Sequence, residues 1–230
     1  MQIAALASDY DGTLASDGKV APKVIKAIKK LKAKKRKFLL VTGRRVEDLL
    51  EVFPEITLCD GVVAENGAVL YWPATKRTEL LCSAPPQNFV QSLYTKRVTP
   101  QAVGHAVIAM SSHQSTEVDA IIVEHGLDLQ KIFNKDAMMI LPKGVDKASG
   151  LSSLLGSLSI SPKSVLGVGD AENDEPFLKF CGIAASTANA LPSVQAIAQY
   201  HVRAPNGAGI EELVDLILTG DCADLAGSRP

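Results

Sequence analysis

The sequence predicts an α/β protein: a Rossmann-like parallel sheet with helices on both faces, plus a small inserted α+β unit. Three observations predict it. Short apolar runs, among them IAALAS (3–8), FLLV (38–41) and SVLGVG (164–169), alternate with stretches of helical periodicity. That alternation is the pattern of parallel strands buried on both sides. Each of these runs then stops abruptly in polar residues: DYDGT (9–13), TGR (42–44) and DAEND (170–174). The texture also changes between about Ser83 and Pro142, a segment bracketed by Pro85-Pro86 and Pro142.

In chain order, residues 3–8 read as a buried strand. A helix follows from Pro22 to Lys37, with Val24, Ile28 and Leu31 at helical spacing and Pro22 near its start. FLLV is the second buried strand. The helix after it runs through Val46, Leu49, Leu50 and Phe53 and stops at Pro54. GVVAENGAVLYW (61–72) reads as two strands turning at Asn66-Gly67, a strong short hairpin signal. The inserted segment reads as helix (Gln87–Lys96), strand (Ala102–Met110), helix (Ser115–His125) and two strands (Leu129–Phe133, Ala137–Leu141). SVLGVG is again a core strand. Short strands near Gly182–Ala185 and His201–Arg203 alternate with helices near Leu191–Ala198 and Ala208–Leu218. The expected division is a core of residues 1–82 and 143–218, an insert of 83–142, and a frayed tail over 219–230, where periodicity is lost.

Composition narrows the function. A formal net charge of -1 supplies no general attraction for nucleic acid or anionic membrane. The first predicted helix carries Lys23, Lys26, Lys29, Lys30, Lys32, Lys34, Lys35, Arg36 and Lys37, but no aromatic residues interleave. A solvated face, with positive charge toward the helix C-terminus, fits it better than a nucleic-acid surface. The apolar runs are too short to span a bilayer, and the N-terminus lacks the basic flank and cleavage site of a secretory signal. Cys59, Cys82, Cys181 and Cys222 are scattered without CxxC spacing, which argues against a zinc site or disulfide framework and for a reducing cytoplasm.

The polar clusters carry the chemistry, because open α/β sheets bind ligands beyond the carboxyl ends of their strands. Asp9 and Asp11 flank Tyr10, so in a regular strand they would face one way and repel unless a cation or proton intervenes. They could form a magnesium site, or simply an Asp- and Gly-rich turn; the residues that follow do not supply an EF-hand. Thr42 and Gly43 could cap the next helix, or hold a phosphate oxygen through a hydroxyl and free amides. Lys147 lies near the start of a helix. Asp170, Glu172, Asn173, Asp174 and Glu175 crowd into six positions, an oxygen-rich set that suits magnesium better than zinc.

Taken together and in this order, DYDGT, the Thr of LLVTG, the Lys of GVDKASG, and GDAEND resemble the haloacid dehalogenase superfamily of phosphatases. The AENGA hairpin (64–68) and the position of the insert resemble its Cof-type, class IIB branch. The resemblance extends to about Leu218. It implies that Asp9 is the nucleophile, forming an aspartyl-phosphate, and that Asp11 is the general acid and then base. It implies Mg²⁺ held by the Asp9 carboxylate, the Asp11 backbone carbonyl, Asp170 and Asp174, the last directly or through a further shell. Thr42, Gly43 and Lys147 would bind the phosphoryl oxygens, and Asn173 would orient the phosphate or the metal shell. The insert would be a cap that closes over the crevice. Substrate contacts would include Arg44, Glu65, Asn66 and Gly67, with Arg45, His105 and His113 as further candidates.

The expected activity is hydrolysis of the phosphate monoester of a small metabolite, a sugar phosphate or phosphoglycolate. Two other readings remain at this stage: a phosphotransferase or phosphomutase on the same scaffold, and a regulatory module with a retained pocket.

Overall fold

The structure is a computed structural model and describes residues 2–220. Its main sheet grows outward from β1 (Ala5–Ser8). The chain leaves β1 through α1 (Pro22–Ala33), returns in β2 (Lys37–Val41), and continues through α2 (Val46–Val52) to β3 (Gly61–Ala64). β4 (Val69–Trp72) and β5 (Arg77–Leu80) fold back as an antiparallel edge. The inserted unit then contributes α3 (Gln87–Thr95), β6 (Ala102–Val103), β7 (Ile108–Ser111), α4 (Ser115–Glu124), β8 (Leu129–Asn134) and β9 (Ala137–Pro142). The chain re-enters the core as α5 (Lys147–Leu158) and β10 (Val165–Gly169). It finishes with α6 (Glu175–Phe180), β11 (Ile183–Ser186), α7 (Pro192–Ile197), β12 (Tyr200–His201) and α8 (Gly207–Thr219).

The main sheet has the order β12-β11-β10-β1-β2-β3-β4-β5, parallel from β12 to β3. The first half of the chain builds outward from β1 on one side and the last part from β10 on the other. The strand order therefore reverses between β1 and β10, and the crevice beyond that switch point is where such sheets bind ligands.

Period-2 alternation divides the strand residues between two cores. Leu6, Phe38, Leu40, Val62, Leu166 and Val168 pack against α1 and α8, through Val24, Ile28 and Leu31 and through Ile210, Leu213 and Val214. Ala5, Ala7, Leu39, Val41, Val63 and Val165 pack the other way, on Leu151, Leu154 and Leu155 of α5, Phe177 of α6 and Val194 of α7. Each buried leucine of this kind stabilises the fold by about 1.5–3 kcal/mol. Both faces are covered, so the strands read as unbroken apolar runs.

The insert is a four-stranded antiparallel sheet of order β6-β7-β9-β8 with α3 and α4 on one face. β9 shows why it sits where it does. Met138 and Ile140 point to Phe89, Leu93, Val118 and Ile121 of the two helices. Met139 and Leu141 point the other way and join the core cluster, with Ala106 and Val107. The insert thus lies over the core as a cap.

Several boundaries differ from expectation. α1 ends at Ala33, not Lys37. The Arg36 N–H returns to Leu31 O and the Lys35 N–H to Lys32 O, with Lys35 at φ 58°. This is a Schellman stop whose left-handed position is filled by Lys rather than Gly, so the usual sequence signal is missing. The hairpin at Asn66-Gly67 is present, but Ala64 pairs with Val69 and four residues connect the strands. The expected strand Ala102–Met110 is two strands separated by the loop Gly104–Val107. β5 and α6 were not foreseen: β5 is a largely exposed edge without apolar alternation, and α6 is a six-residue helix behind an acidic cluster. β12 is confined to Tyr200–His201. The expected fraying of 219–230 lies, beyond Gly220, outside the described residues.

Candidate active site

Three strand ends and one helix start converge on the crevice. Asp9 follows β1, Thr42 follows β2, Asp170 follows β10, and Lys147 opens α5 just after the cap. The carboxylates of Asp9, Asp170 and Asp174 each offer an oxygen within 4.8 Å of the others, and all three residues are buried. Lys147 lies between two of them. Its Nζ donates to Asp9 Oδ1 at 2.6 Å and to Asp174 Oδ1, with the lysine only 1% exposed.

Local structure sets each of these side chains. Asp146 caps α5, accepting from Ser149 N–H at 2.8 Å while its own N–H donates to Ser149 Oγ at 3.0 Å. This reciprocal box fixes the first turn, so Lys147 enters the crevice from a rigid base. Asp174 is tied by Oδ2, which accepts the N–H groups of Asp170 (2.9 Å) and Ala171 (3.0 Å). Asp170 Oδ1 accepts from Thr13 Oγ1 at 3.0 Å and Oδ2 from Lys135 Nζ at 3.0 Å. Gly12 makes this approach possible: its φ is 78°, and a Cβ there would fall 2.5 Å from Asp170 Oδ2.

The charges are unbalanced. Burial, and next the neighbouring Asp174, push the Asp9 carboxyl well above the usual carboxylate range, against the pull of Lys147. Burial likewise raises Asp170, although Lys135 eases it. Burial would lower Lys147, but Asp174 and Asp9 more than offset this and hold its ammonium charged. Three carboxylates thus face two ammonium groups. A hard cation with oxygen ligands fits the remaining negative charge, and Asn173 Oδ1, buried without a hydrogen-bond partner, is one more oxygen nearby. The residues therefore suit Mg²⁺.

The other expected site residues are distributed around this cluster. Asp11 lies outside the three-carboxylate group. Its exposed side chain is gripped by Arg44, Nε to Oδ2 at 2.6 Å and Nη2 to Oδ1 at 2.8 Å. Arg44 also stacks over Tyr10, 5.3 Å from the ring centroid. Thr42 is buried, and its Oγ1 accepts from the Arg44 N–H at 3.1 Å. A Cβ on Gly43 would meet Asn66 and Met139, which places this glycine under the cap. Asn66 Oδ1 accepts from Asn173 Nδ2 at 3.0 Å, and Gly67 packs against the backbone of Asp146. Glu65 is fully buried and faces the cap loop. Arg45 binds Asp48 on its own helix turn, with Nε to Oδ2 at 2.9 Å. His105 touches Glu65, whereas His113 is exposed before α4.

Three residues at the crevice were missed: Thr13 and Lys135 on Asp170, and Asn189, whose Nδ2 donates to Gly12 O at 2.8 Å. Thr13 lay inside a recognised motif, so a polar side chain facing the acids was discoverable. Lys135 stands at the turn between β8 and β9, and nothing in its neighbours marks it.

A family model described as haloacid dehalogenase-like hydrolase matches residues 6–119 and 112–214. The chain belongs to the haloacid dehalogenase-like hydrolases. Among curated relatives, this hydrolase is 30% identical over 228 residues to phosphoglycolate phosphatase 2 of Saccharolobus solfataricus, with 94% of this chain and 93% of that one covered. A solved haloacid dehalogenase-like hydrolase from B. subtilis has a TM-score of 0.77 at 18% identity, covering 93% of this chain and 99% of its own. A solved sugar phosphatase of subclass IIB has a TM-score of 0.71 at 19% identity, covering 94% and 98%. The hydrolase therefore has the fold of the Cof-type, subclass IIB branch, with its antiparallel cap inserted between β5 and α5. No helix among the described residues is long and apolar enough to cross a membrane.

Proposed function

We propose that this hydrolase is a Mg²⁺-dependent phosphomonoesterase that cleaves a small phosphorylated metabolite through an aspartyl-phosphate on Asp9. The observation that carries the reading is the buried Asp9–Lys147–Asp174 triad beside Asp170. The proposed catalytic core is 1–82 with 143–218, and the proposed cap is 83–142. Asp9, Asp170, Asp174 and the Asp11 backbone would hold the metal, which when bound offsets the negative charge of the phosphoryl group.

The chain's own residues perform the rest. An Asp9 oxygen attacks phosphorus as the bond to the leaving oxygen breaks, and Asp11 gives that oxygen a proton. Asp11 then takes a proton from the water that attacks the phosphoenzyme, so inorganic phosphate leaves and Asp9 is regenerated. Lys147 keeps Asp9 aligned and its ammonium close to the transferring oxygens, where attraction grows as charge develops. Thr42, Gly43 and Asn173 would complete the phosphate cradle. Arg44 holds Asp11 at a fixed angle, and the cap keeps bulk water from the phosphoenzyme.

The substrate class we favour is a phosphorylated small acid such as phosphoglycolate, with sugar phosphates next. The likeness to the Saccharolobus enzyme supports it, as do the cationic Arg44 and Lys135 beside the acids. Free thiols at Cys59 and Cys82 fit a cytoplasmic setting. The test is phosphate release by the purified protein with Mg²⁺, against a panel of phosphorylated acids, sugars and nucleotides. Turnover of phosphoglycolate that Asp9→Asn abolishes while the fold is retained is the expected result. Equal turnover by Asp9→Asn would refute the assignment.

A further inference from the structure

Glu65 is a fully buried carboxylate, and among the described residues no Lys or Arg pairs with it. Its partners come from the cap instead. Oε1 accepts the His105 N–H at 3.0 Å, and Oε2 accepts the N–H groups of Ala106 at 2.9 Å and Val107 at 3.0 Å. His105 Nδ1 lies 3.2 Å from Oε1. Three consecutive amides of one cap loop thus converge on one core side chain. The loop is shaped for it: the Gly104 N–H donates to Val107 O at 2.8 Å, closing a tight turn. A Cβ on Gly104 would fall 2.6 Å from the Glu65 carboxylate.

The base of this contact is equally fixed. Glu65 has φ 51°, uncommon for a residue with a side chain, and its N–H donates to Arg44 O at 3.0 Å. The next N–H, of Asn66, donates to Thr42 O at 3.0 Å. The backbone that carries Glu65 is therefore stitched to the loop that carries Thr42, Gly43 and Arg44. Ala106 and Val107, which donate to Glu65, are also buried in the core cluster.

We infer that Glu65 is a positioning residue: a clasp by which the core holds the cap shut over the crevice, and not a group that touches substrate. Three backbone N–H donors converge on this one carboxyl group, and they can reach it only when the cap is down. The same closure sets Lys135 of the cap 3.0 Å from Asp170. Only the kinetic part of this inference rests on the proposed phosphatase activity.

Two variants test it. In Glu65→Gln the shape is kept, but one acceptor oxygen becomes an NH₂ that faces an N–H donor. In Gly104→Ala the carboxylate is kept, but the loop cannot seat on it. Hydrogen exchange by mass spectrometry, on the full chain without substrate, should show His105–Val107 exchanging at least tenfold faster in both. Exchange in β1, β2 and β10 should be unchanged. With substrate, KM should rise by about tenfold, with a smaller fall in kcat. Unchanged protection of 105–107 in both variants would overturn the inference, whatever the activity. So would loss of kcat in Glu65→Gln with those amides still protected, because Glu65 would then act within the crevice.

Discussion

Lys147 and Asp9 are 138 positions apart in the chain, yet Lys147 Nζ donates to Asp9 Oδ1 at 2.6 Å with both groups out of water. The contact joins the end of the central strand to the first turn of the helix that follows the cap. It spans the insert, joining the part of the core that precedes it to the part that follows. Lys147 also lies 5.9 Å from the Phe177 ring centroid, an apolar surround that strengthens its attraction to the acids.

Replacing Lys147 by Met should therefore be costly twice. It strands Asp9 and Asp174 as unpaired buried carboxylates, and breaking such a pair typically destabilises by about 3–5 kcal/mol. Urea denaturation should show a loss of that order, and phosphate release should fall by about a hundred- to a thousandfold, as for loss of a main electrostatic group. Added Mg²⁺ should recover part of the stability and little of the activity.

Mg²⁺ itself should stabilise the folded protein, because its three carboxylates come together only on folding. At a hundredfold excess over the dissociation constant the gain is about 2.7 kcal/mol, and thermal unfolding followed at rising Mg²⁺ should show the midpoint climb accordingly. Asp174→Asn should shift that titration to higher concentration. A variant distant from the crevice, such as Lys26→Ala, should not.

Asp60 offers a pH test away from the acidic cluster. Burial would raise its carboxyl, but Lys32, the Phe38 N–H and Lys37 outweigh this and hold it below the ordinary value of 3.8. A depressed folded-state value means the folded protein binds fewer protons here than the unfolded chain. The contribution is then complete above 3.8 and lost as pH falls through the depressed value. Asp60→Asn should lower the melting temperature at pH 6, and the gap from the parent protein should close in strong acid. A gap that persisted there would assign the effect to packing.

Much of this site was legible because its chemistry is local. DYDGT, TGR, DKASG and DAEND each sit at a strand end or helix start, and the strands announce themselves as apolar runs. What escaped depends on contacts between distant segments. Lys135 gains its place only when the β8–β9 turn meets Asp170. The break in the expected strand 102–110 exists because residues 105–107 turn their amides toward Glu65, which lies about forty positions away. Lys35 ends α1 in a left-handed conformation without the glycine that would have signalled it. Glu65 shows the difference most clearly: the sequence placed it beside the crevice, and only the folded cap reveals what its carboxylate binds.

The most direct test traps the phosphoenzyme. The Mg²⁺-loaded protein, mixed with excess substrate and quenched in acid within its first turnovers, should carry a phosphate mass increment on the peptide containing Asp9. The increment should be absent in Asp9→Asn. A phosphate increment on another residue, or steady turnover with the Asp9 peptide unmodified at every quench time, would contradict the account.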